Sequence, residues 1–167
     1  MTPELRTDRL VLSPYTRSDE SDFVAFFGDQ RVGQWFGDDS PDEIRGVFER
    51  VFSLVYAEDR FKVWAVRHEG RYIGHAEIKP SPESWLDGQE IVYGLTAASW
   101  GQGFGSELVR ALTSYGYDEL GLSEVHATVD ARNAASLGVL KKAGYVHVRD
   151  VPEDDGTTTQ LLTHRRL

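Results

Sequence analysis

The sequence predicts a mixed α/β domain with elements in the order β-α-α-β-β-β-α-β-α-β-β, on three observations. Apolar residues recur at helical spacing between Ser18 and Tyr56 and alternate at strand spacing between Phe61 and Thr96. At Trp100-Gly101-Gln102-Gly103-Phe104-Gly105 the last of those strands then enters a helix through a glycine-rich turn. With 167 residues, 40% of them hydrophobic, residues 1–167 are expected to form one domain with a substantial core.

The first strand is read from Leu10, Leu12 and Pro14 alternating with Val11, Ser13 and Tyr15. Ser18-Asp19-Glu20 follows as a helix start with acids in its first turn, and Phe23, Phe26 and Phe27 form the apolar stripe of that helix. Gly28-Asp29 interrupts it. A second helix is expected from Pro41 to about Tyr56, carrying Ile44, Val47, Phe48, Val51, Phe52 and Val55, with Trp35-Phe36 in the link before it.

Strands are expected at Phe61–Arg67 and Arg71–Lys79, joined by a two-residue Glu69-Gly70 turn. A third, Glu90–Thr96, follows a loop holding Pro80, Pro82 and Trp85, which completes an antiparallel meander. Next come a helix from about Gly103 to Leu120, a strand at Glu124–Asp130 and a helix from about Asn133 to Ala143. Strands near Tyr145–Val151 and Thr158–Thr163 close the chain, with Glu153-Asp154-Asp155-Gly156 as the turn between them.

A net charge of −9 argues against nonspecific nucleic-acid binding and suits a cationic partner as well as simple solubility. The chain has no cysteine, so disulfides, thiolate metal sites and a cysteine nucleophile are excluded, and no metal site is assigned. Neither a signal peptide nor a membrane-spanning run is read in the sequence, and a cytoplasmic location is expected.

A strand–glycine turn–helix favours phosphate. The first N–H groups of a helix lack intrahelical partners, the helix end is positive, and glycine lets the backbone approach an anion closely. A nucleoside-triphosphate loop would close on Lys-Ser/Thr, but Ser106-Glu107 follows Gly105 here. A dinucleotide fingerprint counted from Gly101 would need a third glycine where Ser106 stands, and a parallel βαβ unit where the meander lies.

Four blocks in order resemble the GNAT superfamily of acetyl-CoA-dependent N-acetyltransferases. They are Leu5-Arg6-Thr7-Asp8-Arg9-Leu10-Val11-Leu12; Glu90-Ile91-Val92-Tyr93-Gly94-Leu95; Trp100-Gly101-Gln102-Gly103-Phe104-Gly105-Ser106-Glu107; and Asn133-Ala134-Ala135-Ser136-Leu137-Gly138-Val139-Leu140-Lys141-Lys142-Ala143-Gly144-Tyr145. The first block is similar to the Rim-type branch, the ribosomal-protein N-terminal acetyltransferases. The resemblance implies a mostly antiparallel sheet flanked by helices, with a central parallel strand pair splayed around the cofactor.

It also implies that acetyl-CoA is the cosubstrate and that its pyrophosphate lies on the amides of Gln102, Gly103, Gly105 and Ser106. Relatives often have Lys or Arg where Gln102 stands, so that side chain would bring a hydrogen bond but no charge. Gly94 is where the family strand bulges; close packing against the glycine is the alternative. Backbone groups of Leu95 and Ala97 would pair with the pantetheine arm, one N–H polarising the thioester carbonyl. Asn133 would contact the pantetheine region as well as cap its helix, and Ser136 would donate to the departing thiolate or serve as a small packing residue. Lys141 and Lys142 would be solvated or near the 3′-phosphate.

Transfer to an amine requires the neutral amine, and an α-amine with a pKa of about 7.7–8.0 needs less help than a lysine at about 10.4. By resemblance Glu90 is the leading candidate base, with Glu77 second, and His75 and His126 are read as ordinary strand residues. Trp35, Phe36 and Trp85 fall on segments that border the acceptor cleft in relatives. The expected reaction is direct attack by a primary amine, most readily the α-amine of a protein or peptide. The alternatives are acetylation of a polyamine or antibiotic amine, and a coenzyme-A-binding sensor without turnover. A homodimer through the last hairpin is a further expectation from the family.

Overall fold

The computed structural model describes residues 1–37 and 39–167. Its strands are β1 (Leu5–Arg6), β2 (Leu10–Ser13), β3 (Lys62–His68), β4 (Arg71–Pro80), β5 (Gln89–Leu95), β6 (Glu124–Asp130), β7 (Val146–Pro152) and β8 (Thr158–Arg165). Its helices are α1 (Glu20–Gly28), α2 (Gln30–Gly33), α3 (Pro41–Arg50), α4 (Phe104–Asp118) and α5 (Ala134–Lys142). The sheet order is β1-β2-β3-β4-β5-β6-β8-β7, with β5 and β6 parallel in register Glu90↔His126 and the pairs β1/β2, β2/β3, β6/β8 and β7/β8 antiparallel. The predicted order of elements is present, with three refinements.

The two-residue β1 is too short for a period-two signal, and pairs Leu5 and Arg6 with Leu12 and Val11. Asp29 ends the first helical stripe and caps α2, accepting from the Arg31 N–H at 3.0 Å, so Gly28-Asp29 separates two helices. The expected long second helix is α-helical only to Arg50 and continues as a π-helix over Val51–Tyr56. Pro41 takes the first helical position as expected, and the structure adds a reciprocal cap: Ser40 accepts from the Glu43 N–H at 3.2 Å and the Glu43 carboxylate accepts from the Ser40 N–H at 3.1 Å.

The chain divides into two compact units, Met1–Glu77 with Tyr93–Phe104, and Ile78–Val92 with Gly105–Leu167. In the first unit α1 and α3 pack on β3 through Phe23, Ile44 and Phe48 against Val63 and Ala65, with Tyr15 and Val51 completing the cluster. Arg67 Nη2 donates to both carboxylate oxygens of Asp19 at 2.7 and 2.8 Å, and Asp19 also accepts from the Thr16 N–H at 2.9 Å, which fixes the entry to α1. Glu69 and Gly70 adopt φ of 51° and 77°, the left-handed values a two-residue hairpin between β3 and β4 demands.

In the second unit α4 lies close to β4 and β6. A Cβ on Gly116 would stand 3.1 Å from both Ile78 Cδ1 and Val125 Cγ2. Leu137 and Leu140 of α5 are buried, as are Leu161 and Leu162 of β8, while a Thr113–Tyr145 hydroxyl pair at 2.6 Å satisfies two buried polar groups. Strand β7 is the outer edge, with Val146 and Val148 exposed and a register shift between His147 and Arg149. Among the described residues no helix is long and apolar enough to cross a membrane.

Candidate active site

The glycine-rich turn follows directly from β5. Thr96 N–H still donates to Ile73 O at 2.8 Å, after which Ala97–Ser99 forms a single 3₁₀ turn stapled by Thr96 Oγ1 and Ser99 Oγ at 2.9 Å. Gly101 and Gly103 take φ of 74° and 83°, and α4 begins at Phe104. A Cβ on Gly101 would meet nothing within 4 Å, so that side of the turn is open. The N–H groups of Gly103, Phe104, Gly105 and Ser106 are the donors that helix geometry leaves without intrahelical acceptors, and they suit a phosphate ligand.

The other cofactor candidates sit in more constrained surroundings than their sequence positions suggest. Gln102 folds its side-chain amide back onto Ala98 O at 3.2 Å, directing the nitrogen to the protein's own backbone. The Leu95 carbonyl accepts from Trp100 Nε1 at 2.9 Å, although Trp100 is 50% exposed. Ala97 lies in the 3₁₀ turn, its carbonyl accepting from the Trp100 N–H at 3.2 Å, so strand-like pairing with an incoming arm is limited to what Leu95 and the Ala97 N–H offer. Asn133 caps α5, its Oδ1 accepting from the Ser136 N–H at 3.2 Å; the amide nitrogen is the part a ligand would engage. Ser136 is half-buried in the first turn of α5, and Lys141 and Lys142 lie exposed in its last turn.

Gly94 is occupied by packing. A Cβ there would lie 2.9 Å from Phe36 Cε2 and Cζ and 3.1 Å from Phe26 Cζ, while its carbonyl oxygen sits 2.3 Å from the position of a Cβ on Gly74. The glycine therefore admits the Phe36 ring, which also meets Phe27 edge-on at 5.3 Å, and of the two readings of Gly94 close side-chain packing accounts for it. Trp35 is half-buried beside Phe36 in the first unit. Trp85 lies in the second, with the Arg149 guanidinium 5.0 Å from its ring centroid.

Glu90 is the most distinctive titratable side chain. It is 4% exposed, and its Oε2 accepts from Thr128 Oγ1 at 3.1 Å and Ser81 Oγ at 3.2 Å. Burial raises its pKa, an effect offset in part by the Thr128 hydroxyl, nearby Lys79 and the Ser81 hydroxyl, and reinforced by Glu83. Its partners come from a loop and from β6, so a single-strand pattern could not reveal them.

The two buried histidines have structural partners. His126 Nδ1 pairs with Thr163 Oγ1 at 2.8 Å. His75 Nδ1 pairs with the Tyr15 hydroxyl at 2.7 Å, which in turn meets the Tyr72 hydroxyl at 2.9 Å, and His75 Nε2 lies 3.6 Å from Glu77. Burial holds Tyr15 well above the ordinary phenol range and pushes the neighbouring Tyr56 up to about 12, which keeps both hydroxyls protonated.

Sequence reasoning missed Arg9. Its Nη1 donates to Gln102 O at 2.8 Å, and its guanidinium carbon lies 4.4 Å from the Phe104 ring centroid. Only a fold that brings the start of β2 to the turn makes this partnership visible.

A mixed sheet whose fifth strand runs through an open glycine turn into a helix, with a buried carboxyl on that strand, suits an enzyme that binds a phosphate-bearing cosubstrate. The family model described as an acetyltransferase (GNAT) domain matches residues 9–146. YoaA, an uncharacterized N-acetyltransferase of Bacillus subtilis, is 31% identical over 153 residues, covering 87% of this chain and 84% of its own. An acetyltransferase from Agrobacterium tumefaciens superposes with a TM-score of 0.83 at 21% identity, over 99% of this chain and 96% of its own.

Two further solved structures share the fold. RimL, a ribosomal-protein α-N-acetyltransferase in complex with coenzyme A, has a TM-score of 0.81 at 14% identity, over 98% of each chain. AAC(6′)-Ib in complex with paromomycin and acetyl-CoA has a TM-score of 0.79 at 19% identity, over 95% of this chain and 94% of its own. The chain belongs to the GNAT acetyltransferase family. It is an N-acetyltransferase that uses acetyl-CoA, and the open, positive-φ turn ahead of α4 fits a phosphate-bearing cosubstrate.

Proposed function

We propose that this N-acetyltransferase acts on the α-amine of a protein or peptide, with Glu90 as the general base, directly or through a water. The observation that carries the reading is the buried Glu90 carboxyl, whose pKa is raised by its surroundings yet kept ionisable by two hydroxyl donors. A carboxylate raised in this way is a stronger base than an exposed one. It is matched to an amine that is already partly neutral at pH 7, which an α-amine is and a lysine is not.

Acetyl-CoA supplies the acetyl group as an activated thioester. Gly103, Gly105 and Ser106 offer backbone donors to its phosphates, with Gln102 contributing through its backbone. The Leu95 and Ala97 backbone is proposed to pair with the arm, the Asn133 amide nitrogen to contact it, and Ser136 to donate to the departing sulfur. Trp35, Phe36 and Trp85 are proposed to border the acceptor path. The net charge of −9 favours approach of a cationic acceptor. Residues 1–167 are proposed to work as one catalytic domain in the cytoplasm, supported by a family match that runs across both compact units.

The test is titration with acetyl-CoA followed by thiol-release assays over peptides with free α-amines, acetyl-lysine precursors, polyamines and aminoglycosides. The highest kcat/KM is expected on α-amine peptides. A preference for polyamines or aminoglycosides would replace the acceptor assignment, and binding without turnover on any amine would make the protein a coenzyme-A sensor.

A further inference from the structure

We propose that Arg9 is a positioning residue of the phosphate-binding turn, supplying from the bend before β2 the cationic charge that the turn itself lacks. The inference rests on the reading of that turn as the acetyl-CoA phosphate site. Gln102 has no charge to give, and its side-chain amide is committed to Ala98 O. The guanidinium of Arg9 stands on the same peptide from outside. Nη1 donates to Gln102 O at 2.8 Å, the group lies over the Phe104 ring, and Nη2 is 3.2 Å from where a Cβ on Gly103 would be.

That geometry has a direct consequence for the donors. In a trans peptide the carbonyl and the following N–H point in opposite directions. Holding Gln102 O on Arg9 therefore turns the Gly103 N–H to the other side of the turn, where φ of 83° at Gly103 lets it sit without a side-chain clash. The positive charge also adds to the partial charge at the start of α4. Glycine at 103 is required by its φ, and a Cβ there would press on the guanidinium end, 3.2 Å away.

Arg9 is itself well held. Leu10 N–H donates to Thr7 Oγ1 at 3.0 Å, Thr7 N–H donates to Leu10 O at 3.0 Å, and Arg9 O pairs with His68 Nδ1 at 3.0 Å. His68 in turn packs on Phe104 with ring centroids 4.7 Å apart. A strut of this kind, bridging 93 positions of sequence, fixes the turn before a ligand arrives.

The test compares kcat/KM for acetyl-CoA and for acetyl-pantetheine, which lacks the phosphates, on one amine with the full chain. Arg9→Gln is expected to lower the acetyl-CoA preference about tenfold, as expected for a lost charge-assisted contribution near a phosphate. It should also flatten the salt dependence of acetyl-CoA binding. Arg9→Lys, which keeps the charge, should lower the preference less. An unchanged preference in Arg9→Gln, including an equal decline with both donors as a merely structural strut would give, overturns the proposal. So does a greater fall in Arg9→Lys than in Arg9→Gln. A native protein that does not bind acetyl-CoA would overturn the reading of the turn itself; normal native binding with an unaltered Arg9→Gln variant overturns only the role of Arg9.

Discussion

Replacing Glu90 by glutamine isolates the proposed base while preserving its setting. The glutamine carbonyl can still accept from Thr128 Oγ1 and Ser81 Oγ, now 3.1 and 3.2 Å from the carboxylate, so the β5 environment is retained and only the proton acceptor is lost. General-base catalysis contributes about 10²–10⁴-fold, so kcat on an α-amine peptide is expected to fall by that factor with acetyl-CoA affinity unchanged. In the native protein kcat should rise with pH through the raised Glu90 pKa, and the variant should lack that acid limb.

Stability gives an independent reading. Because the folded-state pKa of Glu90 is raised, the folded protein holds more protons than the unfolded chain between the two values, and its stability falls as pH rises through that interval. The glutamine variant escapes this loss, so its melting temperature relative to the native protein should be higher at pH 8 than at pH 4. A gain of about 1 kcal/mol corresponds to roughly 2–4 °C for a domain of this size. Stopped-assay pH profiles and thermal melts of both proteins decide the matter. Activity within about threefold of native, with the acid limb intact, would refute Glu90 as the base.

Asp19→Ala should destabilise the fold by about 2–4 kcal/mol, read from the urea midpoint, because it leaves the partly buried Arg67 guanidinium without its carboxylate, with only Ser13 Oγ among the described residues to accept from it, and removes the acceptor of the Thr16 N–H. A loss below about 0.5 kcal/mol would show that Asp19 behaves as a solvated surface partner. Gly94→Ala forces a methyl group to within 2.9 Å of the Phe36 ring and should cost about 1–3 kcal/mol in thermal or urea unfolding. The same variant should raise KM for the amine if Phe36 borders the acceptor path, and an unchanged KM would remove Phe36 from that role.

Elements whose local chemistry is self-contained were readable from sequence. Pro41 announces the start of α3 because proline suits the first helical position, and the structure adds the Ser40–Glu43 capping box around it. Glu69-Gly70 announces the hairpin because two-residue loops need consecutive left-handed residues. The π-helical stretch was hidden since Val51, Phe52 and Val55 continue an apolar stripe that a 3.6-residue period also satisfies. Gly94 advertised close approach but could not say that Phe36 makes it. The partners of Glu90 and the Arg9–Gln102 contact are products of topology, joining residues 9 to 93 positions apart. Motif reading found the glycine turn but could not find the cation beside it.

The proposed reaction is acetyl transfer to an α-amine. Its most direct measurement is mass-spectrometric mapping of the acetyl group on a peptide bearing both a free α-amine and a lysine, incubated with the full chain and acetyl-CoA near pH 7. Acetylation confined to the α-amine, and abolished in Glu90→Gln, is the predicted result. Modification of the lysine alone, or of neither amine, would contradict it.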